Sequence, residues 1–373
     1  MKKVLFVATV VKTHIMPFHI PYLEWFKQNG YETHVCEKND YINKEECVIP
    51  YCDKFYDIPF ARSPINPVNI SAYEQLKKII DSNEYDIIHC HTPVGGVLAR
   101  LAARKARQHG TKVIYTAHGF HFYKGASVKD WLLFYPVERY FARYTDVLIT
   151  INKEDYSAAK KFKAKRVVYV PGVGVDVNKF IRPNVDRSEK RKQLGISDDT
   201  FVLLSVGELI KRKNHDTVIK TMAKLKSRDV IYLICGQGEL EPYLKDKVME
   251  LDVNVKLLGF RKDISEILAV SDLFVFPSYQ EGLPVALMEA MAAGLPVVCT
   301  KIRGNTDLIE DGKGGYLVEP EDVDGFEDAI NKLAGNAELR ENMGRYNREF
   351  IKTFDMENVK RIMGEIYKTV LSE

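Results

Sequence analysis

The stretch SDLFVFPSYQEGLPVALMEAMAAGLPVVCT, residues 271–300, contains the structural unit that repeats along this chain. It begins with the apolar run DLFVFPS and ends with PVVCT, and both runs are typical of buried strands. Between them lie the turn YQEG and an apolar helical stretch over about 284–293, which Gly294 ends. Pro284 suits the first turn of that helix, because its missing N–H is not needed there. A strand, a helix and a second strand in this order predict a parallel βαβ unit.

The same alternation of strands and helices runs through both halves of the 373 residues. Six strand candidates lie in the first half: KVLFVAT, ETHVCE, YDIIHCH, KVIYTAH, DVLITIN and RVVYVP. Six more lie in the second half: FVLLSVG, VIYLICG, VKLLG, LFVFPS, PVVCT and GGYLVE. Continuous apolar strands separated by helices indicate parallel sheets covered on both faces. We therefore predict an α/β fold of two tandem, doubly wound, Rossmann-like domains with a ligand cleft between them.

A stretch rich in glycine and proline, VPGVGVDVNKFIRPN at residues 170–184, predicts the boundary between the domains. We assign residues 1–177 to the first domain and residues 178–350 to the second. Residues 351–373 have a helical pattern with no strand after it, and we predict a final helix that crosses back to the first domain. Ligands bind beyond the carboxyl ends of the strands in such sheets, so site residues should follow strands.

The composition, 46% hydrophobic and 28% charged, is that of a globular protein, and no apolar run approaches the roughly 20 residues of a membrane span. The beginning MKKVLFVATVV imitates an export signal, but Lys12 and His14 interrupt the apolar run, so we expect a first buried strand. Six cysteines form no CxxC pair, and Cys90, Cys235 and Cys299 lie in or beside apolar runs. This usage predicts reduced thiols and a cytoplasmic protein.

The net charge of +3 hides an asymmetry between the two halves. Residues 1–180 carry 26 Lys and Arg against 18 Asp and Glu, whereas residues 181–373 carry 28 against 33. Much of the excess lies in ARLAARKARQHGTK (99–112) and KKFKAKR (160–166). For each stretch taken alone, a solvated helix face is an equally good interpretation. The asymmetry as a whole indicates that the first half meets an anionic substrate or anionic lipid headgroups.

Two acids flank the turn and helix of residues 271–300: Glu281 in the turn and Glu289 inside the helix. The free N–H groups around Gly282 and Leu283 point towards an anion such as a diphosphate. Carboxylates repel phosphate but accept hydrogen bonds from hydroxyls, so this arrangement indicates a nucleotide sugar, with a hexose, a diphosphate and a ribose. The alternative is that both acids are surface charges, which does not suit Glu289 in its apolar surroundings.

The segment EGLPVALME resembles the E-x7-E motif of glycosyltransferase family 4, whose members are retaining enzymes of the GT-B fold. The resemblance continues through SVGELIKRKNHDTVIKT, LICGQGEL, LLGFRKDISEILAVSDLFVFPS and IRGNTDLIEDGKGGYLVEP, and it covers nearly the whole chain. In the first half, DIIHCHTPVGG and TAHGFHFYKG are similar to the branch that builds capsules, exopolysaccharides and lipid-linked glycans.

The resemblance implies roles for residues of the second half. Glu289 would accept hydrogen bonds from the ribose hydroxyls, Glu281 from the donor sugar, and Lys213 would stabilise the leaving diphosphate without a metal ion. The family carries Arg where this chain has Glu208, and Arg212 or Lys211 would replace it. The nucleobase would lie against the backbone at residues 260–261. The donor-binding candidates besides Glu289 are Gly207, Arg212, Phe260, Arg261, Gly282, Leu283 and Pro284.

In the first half, the resemblance implies that His118 is catalytic and reaches the donor hexose near the reacting carbon. Phe120, Phe122 and Tyr123 would belong to an acceptor wall. The full set of acceptor-side candidates is Thr9, Lys12, His91, Thr92, Phe120, His121 and Tyr123.

Three patterns suggest other chemistry. His89 and His91 share one face of a strand, but no third ligand is visible where catalytic zinc needs three, so we predict no metal site. DVD at 322–324 resembles a metal-binding DxD, but we interpret it as the beginning of a helix. CGQGEL lacks the third glycine of a dinucleotide-binding loop.

We predict a retaining glycosyltransferase that moves a hexose or N-acetylhexosamine from a nucleoside-diphosphate sugar, with UDP expected, to a glycan or polyprenyl-diphosphate-linked acceptor. The setting would be bacterial surface polysaccharide synthesis, with peripheral contact to an anionic inner membrane face and without nucleic acid. Two alternatives stay open. One is a UDP-N-acetylhexosamine 2-epimerase of the same fold, against which the E-x7-E helix argues. The other is a catalytically silent nucleotide-sugar-binding subunit, which Glu208 would favour.

Overall fold

The computed structural model describes residues 2–181, 185–225 and 229–372. The chain forms two compact units, Met1–Gly174 with Glu357–Glu373, and Val175–Met356. The first unit ends three residues before the boundary predicted from the sequence, and its C-terminal segment begins six residues after the predicted position. Residues 182–184 of the predicted boundary stretch lie outside the described residues.

The first unit is built on a parallel sheet whose seven strands are β1 (Lys3–Val10), β2 (Glu32–Lys38), β3 (Lys54–Asp57), β4 (Ile87–His91), β5 (Lys112–Ala117), β6 (Val147–Thr150) and β7 (Arg166–Tyr169). Their order is β3-β2-β1-β4-β5-β6-β7. The sequence predicts six of them, and that count is wrong because β3 is a four-residue edge strand, KFYD. Its side chains are only half-buried or exposed, so it lacks the apolar run by which the others are recognised.

The helices of the first unit that precede the second unit are α1 (Met16–Phe18), α2 (Ile20–Gln28), α3 (Val68–Asp81), α4 (Pro93–Ala102), α5 (Arg104–Gln108), α6 (Val128–Phe141) and α7 (Lys153–Ala159). A π-helical turn, Val11–Ile15, follows β1 directly. Short 3₁₀ turns occupy Lys44–Glu46 and Ala142–Tyr144.

The second unit contains a six-stranded parallel sheet in which every predicted strand is present. Its strands are β8 (Phe201–Val206), β9 (Val230–Cys235), β10 (Val255–Gly259), β11 (Leu273–Phe276), β12 (Val297–Thr300) and β13 (Gly315–Val318), in the order β10-β9-β8-β11-β12-β13. Its helices are α8 (Asn178–Ile181), α9 (Arg187–Gln193), α10 (His215–Met222), α11 (Glu241–Leu251), α12 (Ile264–Val270), α13 (Val285–Ala293), α14 (Asn305–Leu308), α15 (Val323–Ala334) and α16 (Ala337–Phe350).

The stretch quoted first forms the predicted βαβ unit, β11–α13–β12. Helix α13 begins at Val285, one residue later than predicted, so Pro284 directly precedes it. Gly294 ends the helix with a φ of 80°. The DVD stretch begins α15, where the Asp322 carboxylate accepts a hydrogen bond from the Gly325 N–H. The helix interpretation of DVD is therefore confirmed, because that carboxylate serves as a cap.

The C-terminal helix α17 (Met356–Ser372) packs into the core of the first unit. Val359, Met363 and Tyr367 recur at a spacing of four residues and form one buried face. The Tyr367 hydroxyl lies 3.0 Å from Nδ1 of His89 on β4. This helix therefore contributes directly to the core beside the central strands.

A buried ion pair joins α4 to α6. The Arg100 side chain is fully buried, lies with its guanidinium carbon 4.0 Å from the centroid of the Tyr115 ring, and donates from Nη2 to Glu138 Oε2 at 2.9 Å. Arg107 is also engaged, since it donates two hydrogen bonds to Asp146. The basic stretch at 99–112 is therefore only partly available to a ligand or a membrane, because Arg100 and Arg107 form ion pairs within the fold.

Replacing Arg100 with Ala should lower the free energy of unfolding of the first unit by about 3–5 kcal/mol, because Glu138 would remain buried without its cation. Urea unfolding followed by tryptophan fluorescence reports on this unit, since both tryptophans, Trp25 and Trp131, lie in it. Arg104 is exposed on the same stretch, so the Arg104→Ala control should change stability by about 0.5 kcal/mol or less. Equal effects of the two substitutions would contradict the structural role of Arg100.

Candidate functional site

In the second unit, the turns after β8 and β11 are joined to each other. A 3₁₀ turn, Lys211–Lys213, follows β8, and the loop containing Glu281 follows β11. The Tyr279 N–H donates to the Arg212 carbonyl at 2.8 Å, and the Asn214 side chain donates to the Pro277 carbonyl at 3.1 Å. Because β8 and β11 are parallel neighbours, their carboxyl ends bring these two turns together.

Two cations of the first turn converge on the acid of the second. Lys213 Nζ lies 2.8 Å from Glu281 Oε1, and Arg212 Nη1 lies 3.1 Å from the same oxygen. Glu281 is only 9% exposed, so the group is largely withdrawn from solvent. Gly207 leaves room for the lysine, since a Cβ there would lie 3.2 Å from Lys213 Cε. The sequence assigns Glu281 to sugar hydroxyls and Lys213 to phosphate, and it does not reveal that they form an ion pair.

Glu208, the departure from the family pattern, lies at the surface of this group. Its side chain is 68% exposed, and its Oε2 lies 3.8 Å from Arg212 Nη2. An exposed ion pair at this distance contributes little free energy. The pairing of Lys213 with Glu281 does not involve it.

The turn at residues 281–284 is held by the segment after β12. The Arg303 Nε donates to the Glu281 carbonyl at 3.0 Å, and Gly304 has a φ of 82°. A Cβ on Gly304 would lie 2.6 Å from the Gly282 carbonyl oxygen, so only glycine permits this approach. Sequence reasoning did not assign these supporting residues to the site, although IRGN is one of the segments that carry the family resemblance. The turn leads into α13, whose first N–H groups have no partner within the helix.

Glu289 lies on α13 and is partly buried. Burial raises the pKa of its carboxyl to about 7, and the positive charge of Lys179 acts in the opposite direction. Phe260, just after β10, is 68% exposed. Arg261 donates from Nε to Asp263 at 2.8 Å and holds the pKa of that carboxyl well below its usual range. The guanidinium of Arg261 is therefore engaged within the protein.

In the first unit, an apolar groove of about 510 Å³ lies beyond the carboxyl ends of β1 and β4. Among the acceptor-side candidates, Thr9, Thr92 and His121 line it. Thr92 has a φ of 61°, a strained conformation for a β-branched residue that is found most often at functional sites. Further lining residues that the sequence did not suggest include Arg62, Pro64, Ile65, Leu133, Phe134 and Val137.

The remaining acceptor-side candidates lie elsewhere. Lys12 is exposed, and its Nζ lies 5.4 Å from the centre of the Tyr41 ring. The Tyr123 carbonyl accepts a hydrogen bond from the Trp131 indole at 3.2 Å. The assignment of Phe120 and Phe122 to an acceptor wall is wrong: they are 3% and 2% exposed and belong to the hydrophobic core. The segment FHF alternates, so that His121 is exposed while the flanking rings stack on each other at 4.6 Å in the core.

Four histidines of the first unit form a cluster, which we call the histidine cluster: His14, His19, His91 and His118. His91 Nδ1 lies 3.3 Å from His118 Nε2, and His14 Nε2 lies 3.2 Å from His19 Nε2. Burial, followed by the charge of neighbouring histidines, lowers the pKa of His14, His19 and His91 well below the usual value. Burial lowers the pKa of His118 to about 4. These imidazoles are therefore neutral at physiological pH.

His89, the other histidine of HCH, does not belong to the histidine cluster. Its Nε2 lies 2.9 Å from Thr116 Oγ1 and its Nδ1 lies 3.0 Å from the Tyr367 hydroxyl, so both nitrogens have partners. The ring of His91 packs on that of His89 at 4.1 Å between centroids, but its Nδ1 lies 3.3 Å from His118 Nε2, a residue 27 positions later.

Comparison with known proteins decides the family. Residues 186–350 match the family described as glycosyl transferases group 1, and residues 3–152 match glycosyl transferase 4-like. The chain is 42% identical to EpsD of Bacillus subtilis, whose name assigns it to the glycosyltransferases, over 99% of this chain and 97% of that protein. The chain is a glycosyltransferase of the group 1, GT4-like family. The enzyme class and the family predicted from the sequence are confirmed.

This glycosyltransferase is also 34% identical to an Escherichia coli enzyme, UDP-Gal:alpha-D-GlcNAc-diphosphoundecaprenol alpha-1,3-galactosyltransferase, over 79% of this chain and 76% of that protein. Among solved structures, HepE from Anabaena in complex with UDP and glucose has a TM-score of 0.80 at 21% identity, covering 99% of this chain and 100% of that one. WaaG, a glycosyltransferase involved in lipopolysaccharide biosynthesis, has a TM-score of 0.73 at 19% identity, covering 97% and 99%. These likenesses confirm the GT-B fold.

Replacing Lys213 with Met should lower the free energy of unfolding of the second unit by about 1–3 kcal/mol, because Glu281 loses its closest cation in a largely buried place. Adding Glu281→Gln should recover part of that loss, since the buried charge is then removed. Hydrogen exchange of the strands of the second unit measures both effects. Lys211 is exposed in the same turn, and the Lys211→Met control should leave exchange unchanged. Strictly additive effects of the two substitutions at 213 and 281 would contradict the ion pair.

Proposed function

We propose that this glycosyltransferase moves a hexose or N-acetylhexosamine from a UDP-sugar to a lipid-linked glycan acceptor in bacterial surface polysaccharide synthesis, with retention. The observation that carries the proposal is the convergence of Lys213 and Arg212 on Glu281, next to the beginning of α13. The names of relatives support it. The E. coli enzyme is named for UDP-Gal and a diphosphoundecaprenol acceptor, and HepE was crystallised with UDP and glucose.

On the donor side, the diphosphate would replace Glu281 as the partner of Lys213 and Arg212. Glu281 would then accept hydrogen bonds from the sugar hydroxyls, and Glu289 from the ribose. The two cations and the first N–H groups of α13 would stabilise the charge of the departing diphosphate, so that transfer needs no metal ion. The exposed position of Glu208 supports a turnover enzyme over a silent subunit.

In the transfer step, the bond between the anomeric carbon and the diphosphate oxygen breaks while the acceptor oxygen bonds to the carbon on the same face. The acceptor hydroxyl gives its proton to the departing diphosphate oxygen. This course gives retention without a covalent intermediate on a carboxylate. The role of His118 at the donor sugar stays a prediction from the family resemblance.

On the acceptor side, the groove of the first unit suits a lipid-linked substrate. Its lining is mainly apolar, and the guanidinium of Arg62, which donates to Thr13 at 2.9 Å, offers a cation for a lipid diphosphate. The apolar side chains of α6 that extend from this groove to the surface are exposed: Val128, Trp131, Leu132, Leu133, Val137 and Tyr140. In the described part of the chain, no helix is both long and apolar enough to cross a bilayer. We therefore propose peripheral binding to the inner membrane face through α6, assisted by the exposed Arg104 and Lys105.

UDP should bind this enzyme about tenfold more tightly at pH 8 than at pH 6, because the pKa of Glu289 is about 7 and only its ionised carboxylate accepts both ribose hydroxyls. Calorimetric titration at both pH values measures the change, and GDP and ADP in parallel test the choice of nucleotide. The phosphate of UDP also titrates near this range, at about pH 6.

The Glu289→Gln variant separates the two contributions, because it retains only the titration of the nucleotide. It should bind UDP more weakly at pH 8 and show a smaller pH dependence than the wild type. If both proteins show the same affinity and pH dependence, Glu289 does not contact the ribose.

Binding to vesicles that contain anionic phospholipid should fall about tenfold in the Val128→Ser/Leu132→Ser variant, because two apolar side chains of α6 no longer enter the interface. Cosedimentation with vesicles measures the bound fraction. Ile70 is 65% exposed on α3, and the Ile70→Ser control should bind like the wild type. Equal losses in the control and the double variant would contradict docking through α6.

A further inference from the structure

We propose that the histidine cluster, His14, His19, His91 and His118, binds one divalent transition-metal ion, with Zn²⁺ as the ion of closest chemical fit. The four side chains come from the π-helical turn after β1, the beginning of α2, the end of β4 and the segment after β5. One ring nitrogen from each lies within 4.8 Å of the others. The fold of the first unit thus supplies the additional ligands that the sequence pattern HCH lacks.

The spacing of the nitrogens suits a tetrahedral ion. Four nitrogens at about 2.0–2.1 Å from a zinc ion lie about 3.3–3.4 Å from one another. The two separations that involve identified nitrogens are 3.2 Å between His14 and His19, and 3.3 Å between His91 and His118. Since the other ligand atoms lie within 4.8 Å, modest rotations of the rings bring all four to one ion.

The protein alone does not satisfy the histidine cluster. Nδ1 of His19 and Nε2 of His91 are buried and make no hydrogen bond within the described residues. They are the second nitrogens of these two rings, since Nε2 of His19 and Nδ1 of His91 form the close pairs with His14 and His118. The rings of His19 and His91 lie 3.9 Å apart between centroids, and both side chains are buried. A cavity of about 10 Å³, roughly one water-sized sphere, adjoins His19, His91 and His118. This space lies beside three of the four rings, and His14 does not line it.

The composition of the histidine cluster selects the class of metal. Each member offers an imidazole, a ligand that suits Zn²⁺, Cu²⁺ and Ni²⁺, whereas Mg²⁺ and Ca²⁺ require oxygen ligands. Burial keeps the rings neutral, which is the form that binds metal. This site lies in the first unit and does not involve the cations that we assign to the diphosphate. Because Nε2 of His118 would bind the ion, only Nδ1 of that ring would remain for the donor-sugar role that the family resemblance implies.

The test uses the full chain without a histidine tag, freed of metal by a chelator and titrated with Zn²⁺ or Co²⁺. We expect one equivalent to bind, with the visible absorption of four-coordinate Co²⁺. His14→Gln and His19→Gln should each weaken binding by more than the roughly 100-fold that loss of an outer-shell residue costs. His109 is exposed and outside the histidine cluster, so His109→Gln should bind like the wild type. Binding that persists unchanged in both cluster variants would overturn the proposal.

A second measurement needs no variant and remains decisive if a variant does not fold. X-ray absorption of the wild-type protein with one equivalent of Zn²⁺ should show four nitrogen ligands at about 2.0–2.1 Å. Oxygen-dominated coordination, or equal competition by Mg²⁺, would overturn the assignment to the four imidazoles. Because these measurements do not use transferase activity, they remain valid if the proposed function is wrong.

Discussion

Parallel pairing of the central strands is the constraint on which both candidate sites depend. In the first unit β1 lies between β2 and β4, and in the second unit β8 lies between β9 and β11. Parallel strands that are neighbours end at the same edge, so segments far apart in sequence meet there. Lys213 meets Glu281 across 68 positions, and His91 meets His14 across a similar distance. The chemistry of each unit follows from which side chains the sequence places directly after these strands.

Each unit contains a largely buried ion pair, and the two pairs differ in their structural surroundings. Arg100 and Glu138 are a closed pair in the core, which is consistent with a structural role. Lys213 and Glu281 are almost as withdrawn, but they lie in turns next to the beginning of a helix, where an anion is favoured. A pair of this kind keeps a cation in position until an anionic ligand exchanges with the acid. The same physical interaction therefore stabilises the fold in one place and, in the function that we propose, prepares a ligand site in the other.

The first unit combines features that sequence reasoning treats separately. Its apolar groove and the exposed face of α6 are continuous, which suits a substrate that is part lipid. The histidine cluster adjoins that groove, since His14 belongs to both. The fold thus places an apolar surface, a cation and a set of neutral imidazoles at one edge of one sheet, whereas the second unit carries the paired charges.

The sequence by itself determined the two parallel sheets, every strand of the second unit and the glycosyltransferase family, because apolar runs and motif order are local properties of the chain. It missed β3, an edge strand without an apolar run, and it misassigned Phe120, whose orientation depends on how the segment after β5 turns into the core. Only the tertiary structure decided that Glu281 pairs with Lys213, that Arg100 is buried, and that His91 lies beside His14, His19 and His118. The physical reason is the same in each case. These contacts depend on the pairing of distant strands and on burial, and the spacing of neighbouring residues predicts neither the pairing nor the burial.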